Sequence, residues 1–130
     1  MLLTGIILAI LAALLHVYIF WMESIAWESP AARKTFGIGS EQEAAVTKPL
    51  AFNQGFYNLF LAIAALLGAV LLMAGNTAVG ATLLLTGVGS MTAAALVLLL
   101  SSPTLRGAAL KQGTIPFLAV IATVIGLVAS

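Results

Sequence analysis

Apolar residues dominate two long stretches of the chain that contain no charged side chain, Met1 to Met22 and Pro49 to Leu105. A helix needs about 20 apolar residues to cross the hydrocarbon core of a bilayer, so the second stretch is long enough for two crossings. A polar turn at 75–77, with the sequence Gly-Asn-Thr, divides it. A further apolar segment ends the chain. The pattern predicts four membrane-spanning helices, numbered spans 1 to 4, at about 2–27, 50–74, 78–100 and 115–129.

The polar segment 28–49, between spans 1 and 2, is too short to form a domain of its own. Within it, Ser40 and Glu43 have the spacing of a capping box, in which each residue satisfies a free N–H group at a helix start. A short helix at about Glu41–Lys48 is therefore expected to lead into span 2.

The two terminal spans each allow more than one interpretation. Span 1 has no basic residue before Arg33, which is unlike a secretory signal peptide, so we expect it to be retained as a span. Span 4 is the shortest, and Pro116 is expected in its first turn, where the missing N–H group costs little. An earlier start, near Ala108, is the alternative.

Composition excludes a water-soluble enzyme. Hydrophobic residues make up 62% of the 130 residues and charged residues only 7%, whereas roughly a quarter of an ordinary soluble domain is charged. The net charge of +1 offers no basic face for nucleic acid, and the absence of cysteine excludes disulfides and thiolate metal ligands. We predict an all-α polytopic membrane protein: one transmembrane domain, 1–130, forming a four-helix bundle in the lipid bilayer with a short cytoplasmic loop helix between spans 1 and 2.

Basic residues predict the orientation of the bundle. Arg33, Lys34 and Lys48 lie between spans 1 and 2, and Arg106 and Lys111 lie between spans 3 and 4. With four spans, both basic loops fall on the same side of the membrane. The positive-inside rule places that side in the cytoplasm, so both termini are expected outside.

Polar side chains within the spans are concentrated in spans 1 and 2. His16 and Glu23 lie two helical turns apart on one face of span 1, and Trp27 follows one turn further on. Span 2 carries four polar side chains at helical spacing: Asn53, Gln54, Tyr57 and Asn58. Because the two spans are antiparallel and joined by the loop, these side chains fall at similar depths. We predict that all seven line a ligand-binding pocket between spans 1 and 2, in the cytoplasmic half of the membrane.

The same side chains also fit a purely structural interpretation. Interhelical hydrogen bonds between polar side chains are a common packing device in membranes, contributing about 0.6 kcal/mol each. Trp27 is then a membrane-interface aromatic residue and Glu23 a solvated carboxylate. One histidine and one carboxylate are too few for a metal site, so we expect no metal and no cofactor. As an acid–base pair, His16 and Glu23 can exchange protons near neutral pH.

Several motifs together resemble one known family. They are His16-x-Tyr18 with Glu23, Trp27-x-x-Pro30, Asn53-Gln54-Gly55-x-Tyr57-Asn58, and Gln112-Gly113 before Pro116. Over nearly its whole length the chain is similar to the bacterial integral membrane proteins grouped as domain of unknown function 1304. The resemblance implies a compact four-helix membrane protein and a polar cluster that belongs to the family's pattern, and we expect the protein in the bacterial inner membrane. It implies no activity.

Three functions remain open at this point. The first is a pocket protein that binds or transports a small, partly lipophilic molecule or a proton, alone or as a homo-oligomer. The second is an accessory subunit of a larger membrane complex, in which the polar cluster only holds the helices together. The third is a membrane enzyme acting on a lipidic substrate, with His16 as general acid or base and Glu23 orienting it. Because the chain has no nucleophile set, we favour the first and assign no catalytic residue.

Overall fold

The computed structural model describes all 130 residues, and its regular structure is helical throughout. The elements are α1 (Leu2–Phe20), a π-helical turn (Trp21–Ile25), α2 (Pro30–Phe36), α3 (Glu41–Met73), α4 (Thr77–Ser101), a 3-10 turn (Pro103–Leu105) and α5 (Arg106–Val128). Four helical stretches, containing α1, α3, α4 and α5, are long and apolar enough to cross a membrane. The predicted all-α fold with four membrane-spanning helices is confirmed.

The four long helices form a ring in which each packs against two neighbours, in the order α1, α3, α4, α5 and back to α1. Helices that are diagonal in the ring, such as α1 and α4, make few contacts. Both chain termini and the α3–α4 turn lie at one end of the bundle, the turn end. The helix α2 and the 3-10 turn lie at the opposite end, the loop end.

Small residues bring the helices together at the turn end. A Cβ atom added to Gly80 of α4 would lie 2.6 Å from the backbone nitrogen of Leu72 in α3. One added to Gly5 of α1 would lie 2.7 Å from the backbone nitrogen of Thr123 in α5. Alanines that are almost fully buried fill the layers between these contacts: Ala9, Ala12, Ala13, Ala62, Ala65, Ala69 and Ala119. Such small residues let membrane helices approach to backbone contact.

Side-chain caps define the short elements of the loop end. Ser29 caps α2 by accepting a backbone N–H bond at 3.2 Å, and Gly37 ends it in the left-handed conformation with φ of 67°. Ser40 caps α3 by accepting the N–H group of Glu43 at 3.1 Å. The carboxylate of Glu43 accepts the N–H group of Gly39 at 3.0 Å, one residue before the usual capping-box partner. These bonds satisfy N–H groups that the helix starts leave free.

The helix between spans 1 and 2 differs from its predicted position. The residues Glu41–Lys48 form the first turns of α3, which continues without a break through Pro49 to Met73. Pro49 removes only the hydrogen bond to the carbonyl of Ala45, which lies on an exposed turn where water can solvate it. The separate short helix is α2, whose Ser-Pro start is a standard N-terminal signal.

The fourth long helix begins at Arg106, nine residues before the predicted start of span 4. Pro116 therefore lies inside α5 and not in its first turn, and it is fully buried. The earlier start, near Ala108, is the alternative that the structure favours. Gly113 lies inside α5, at a position where the helix packs closely against Ala95 of α4.

Candidate functional site

A cavity of about 450 Å³ opens at the loop end of the bundle. All four long helices line it, together with α2 and the 3-10 turn. Six polar side chains face the cavity: His16, Glu23, Gln54, Asn58, Ser101 and Gln112. Its apolar wall comes mainly from α4, which contributes Met91, Val97 and Leu98.

The π-helical turn places Glu23 against α3. Its carboxylate oxygen Oε2 accepts a hydrogen bond from the amide Nδ2 of Asn58 at 2.7 Å. Next to it, the hydroxyl of Ser24 donates to the backbone carbonyl of Phe52 at 2.7 Å. Gly55 permits this close approach, because a Cβ atom there would lie 3.1 Å from the Cβ atom of Glu23. Isolated π-helical turns occur frequently at functional sites.

Glu23 is the only acidic residue that the fold buries, with 8% of its surface exposed. Its second carboxylate oxygen, Oε1, makes no hydrogen bond to the protein, although the side chain lines the cavity. Burial of a carboxylate is costly unless its oxygens find hydrogen-bond donors. The cavity side of Glu23 is therefore suited to a donor group on a bound molecule.

His16 lies in α1 with 3% of its surface exposed. Its ring nitrogen Nδ1 lies 2.9 Å from the backbone carbonyl oxygen of Ala12. A carbonyl can only accept, so Nδ1 carries the hydrogen atom, and in the neutral ring Nε2 is an acceptor. No protein group bonds Nε2, and the side chain lines the cavity.

His16 and Glu23 do not hydrogen-bond to each other. Two turns of helix separate them by about 10 Å along the axis, so they contact different parts of the cavity. No group of three or more His, Cys, Asp or Glu side chains lies close enough to hold a metal ion. The arrangement provides a carboxylate and an imidazole at two depths, with amide groups nearby and an apolar wall opposite.

The structure brings four of the seven predicted pocket residues to this cavity and places three elsewhere. His16, Glu23, Gln54 and Asn58 line it. The indole nitrogen Nε1 of Trp27 donates to the hydroxyl of Thr47 at 3.0 Å, outside the cavity. The remaining two, Asn53 and Tyr57, are exposed on the outer surface of α3.

The predicted position of the pocket, between spans 1 and 2 alone, needs correction. Gly55 brings α3 so close to the π-helical turn that no cavity fits between them. The cavity is lined by all four long helices, so α4 and α5 complete its wall. Sequence reasoning missed Met91 and Ser101 because neither stands out in a segment rich in Leu, Ala and Thr. The turn-like Gln112-Gly113 pair was the one sequence signal for the contribution of α5.

The fold and the cavity together define a class: multi-pass helical membrane proteins with a polar cavity lined by all the helices of a four-helix bundle. Residues 10–124 match the family described as Protein of unknown function (DUF1304). The chain belongs to this family, as the sequence motifs indicated. Neither a curated protein nor a solved structure matches the chain.

Proposed function

We propose that the protein binds a small, partly lipophilic molecule in the loop-end cavity, as a step in its transport or sensing at the membrane. The observation that carries this proposal is the shared cavity of His16 and Glu23. Both side chains are buried, and each keeps one hydrogen-bonding atom that no protein group uses. Ionisable groups inside membrane proteins are costly and commonly mark the path of a ligand or ion.

The cavity also indicates the chemistry of the ligand. Its volume of about 450 Å³ is within the range of small-molecule sites, roughly 300–1,000 Å³. A hydroxyl or amine group on the ligand would donate to the free oxygen of Glu23, and a second donor would reach Nε2 of His16. The apolar body of the ligand would lie against Met91 and Leu98 of α4.

The proposed setting is the bacterial inner membrane, with both termini outside. All five Lys and Arg side chains lie on segments at the loop end of the bundle. Because positive residues favour the cytoplasmic side, the cavity lies closer to the cytoplasm than to the outer surface. Ligand would then enter or leave the cavity from the cytoplasmic half of the membrane.

Native mass spectrometry of the protein extracted gently from its own membrane tests this proposal. The experiment compares the wild type with Glu23→Gln and His16→Ala, and uses Glu41→Gln as the matched control, since the Glu41 side chain is 91% exposed. We expect a small-molecule mass on the wild type and the control that both cavity variants lose. If the wild type carries no small molecule but retains a stoichiometric partner chain, the result would support the accessory-subunit alternative and overturn the proposal.

Proton transfer is a second candidate, because the two ionisable side chains that line the cavity both exchange protons readily. Reconstituted vesicles with an internal pH dye measure it directly. Faster proton entry with wild type than with His16→Ala would support this candidate. Equal rates for the two proteins would exclude proton transfer and would leave the proposal of small-molecule binding standing.

A further inference from the structure

A second cavity opens on the outside of the bundle at the loop end and shares three lining residues, Phe36, Ala108 and Gln112, with the cavity above. It has a volume of about 380 Å³ and lies between the end of α1, the helix α2 and the first turns of α5. Its floor is apolar and is formed by Leu15, Ile19 and Met22. Lys34 on α2 and Lys111 on α5 also line it.

These two lysines are the basic side chains that the fold leaves without a partner. Lys48 pairs with Glu28 at 2.6 Å, and Arg33 lies 3.8 Å from Glu41. Arg106 donates from Nε to the backbone carbonyl of Leu99 at 3.3 Å. No ion pair or side-chain hydrogen bond involves Lys34 or Lys111.

The acidic residues are also all engaged elsewhere, so none neutralises the two lysines. Glu28 and Glu41 form the ion pairs, Glu43 accepts the N–H group of Gly39, and Glu23 accepts from Asn58. Two positive charges from different helices therefore line one cavity with no negative charge beside them. An anion is the complementary ligand.

The apolar floor favours an anion that carries hydrocarbon. It continues along the outer face of α1 through Tyr18, Leu14 and Leu11, which are about half exposed and lie at helical spacing. In a membrane this face contacts acyl chains. Basic pockets between transmembrane helices at the membrane surface are sites where anionic lipid headgroups bind.

From this geometry we infer that the cavity is a binding site for an anionic phospholipid. The phosphate group lies between Lys34 and Lys111, the side-chain amide of Gln112 can donate to its oxygens, and one acyl chain follows the outer face of α1. The inference does not depend on the function proposed for the 450 Å³ cavity, because the charged groups differ: Lys34 and Lys111 line this cavity, whereas Glu23 lines the other.

Lipid competition tests the inference. Purified protein is equilibrated with equal amounts of phosphatidylglycerol and phosphatidylcholine carrying the same acyl chains, and the retained lipids are counted by native mass spectrometry. The test variant is Lys34→Gln with Lys111→Gln. The matched control is Lys48→Gln with Arg106→Gln, which removes the same charge from the same end of the bundle.

We expect the wild type and the control to prefer phosphatidylglycerol, and the test variant to lose this preference. A basic residue near the membrane surface changes the affinity for anionic lipid about fivefold. The preference of the double variant for phosphatidylglycerol should therefore fall roughly 25-fold. An equal loss in both variants would show only diffuse attraction, and no preference in the wild type would remove the site; either result overturns the inference. Displacement of the lipid by millimolar inorganic phosphate would assign the cavity to a free anion and overturn its assignment to a lipid.

Discussion

The two ends of the bundle use the same four helices in opposite ways. At the turn end, glycines such as Gly5 and Gly80 bring backbones into direct contact, and alanines fill the layers between them. At the loop end, the helices surround a cavity of about 450 Å³ lined by six polar side chains. The difference separates two roles of the helices: small residues hold the bundle together at one end, and polar residues line a cavity at the other.

The comparison also bears on whether the polar residues merely hold helices together. Side chains with that role are expected to bond one another across helix contacts. Among the polar residues lining the cavity, only Glu23 and Asn58 form such a side-chain bond. Gln54 and Gln112 make no side-chain hydrogen bond to another helix, although both line the cavity. This pattern supports a binding role over a packing role.

The largest effect is expected from filling a glycine at the turn end. Gly80→Ala places a methyl group against the backbone of Leu72, which cannot rotate away, and should lower the free energy of unfolding by about 3 kcal/mol. Gly89→Ala on the same helix is the control, because nothing lies within 4 Å of the added atom. Thermal unfolding in detergent measures both. Equal melting temperatures for the two variants would show that the turn end is not tightly packed.

A smaller effect, confined to binding, is expected at the loop end. Glu23→Gln keeps the shape of the side chain but removes the charge that a ligand donor would meet. Hydrogen bonds to charged groups contribute about 2 kcal/mol, so ligand retention should fall roughly 30-fold. Retention is measured by native mass spectrometry beside Glu41→Gln. If both variants retain ligand equally, the carboxylate of Glu23 does not contact it.

Asn58→Leu should affect stability, since it leaves the buried carboxylate of Glu23 without its one donor. We expect a loss of about 1.5 kcal/mol in the free energy of unfolding. The control is Asn53→Leu on the same helix, where the side chain is exposed and the change should stay within about 0.5 kcal/mol. A thermal melt of each variant distinguishes them. Equal losses would mean that the bond between Asn58 and Glu23 contributes nothing.

The smallest effect is expected outside both cavities. Trp27→Phe removes the hydrogen bond to Thr47 and should lower the free energy of unfolding by about 1 kcal/mol, with ligand retention unchanged. Trp21→Phe, at an exposed position, is the control and should leave both measurements unchanged. Thermal melts and native mass spectrometry are run on the same preparations. Loss of ligand from Trp27→Phe alone would restore Trp27 to the binding site.

The membrane-spanning helices were predictable because charged residues are expelled from lipid, and so their absence marks each span. The polar turn at 75–77 appears in the structure, with Gly75 at φ of 88° and Asn76 capping α4. The extent of the helices beyond the membrane was less predictable. Polar segments such as Glu41–Lys48 and the first turns of α5 can be helical or irregular, and neighbouring contacts decide between them.

The candidate site was predictable only in part. His16 and Glu23 are the only histidine and the only acidic residue within span 1, so they stood out from the sequence. Gln54 and Asn58 form a stripe next to that of Asn53 and Tyr57, and the sequence does not fix which stripe turns inward. The rotation of α3 about its own axis decides this, and it depends on the contact of Gly55 with the π-helical turn.

The ring order of the helices has an electrostatic consequence. Around the ring every helix lies beside two antiparallel neighbours, so the partial positive charge at each helix start is next to the partial negative charge at a helix end. These macrodipoles largely cancel at the loop end, where α3 and α5 begin and α1 and α4 end. Helix dipoles therefore add little to the potential inside the cavity, where Glu23 and His16 are the acidic and imidazole side chains of the lining.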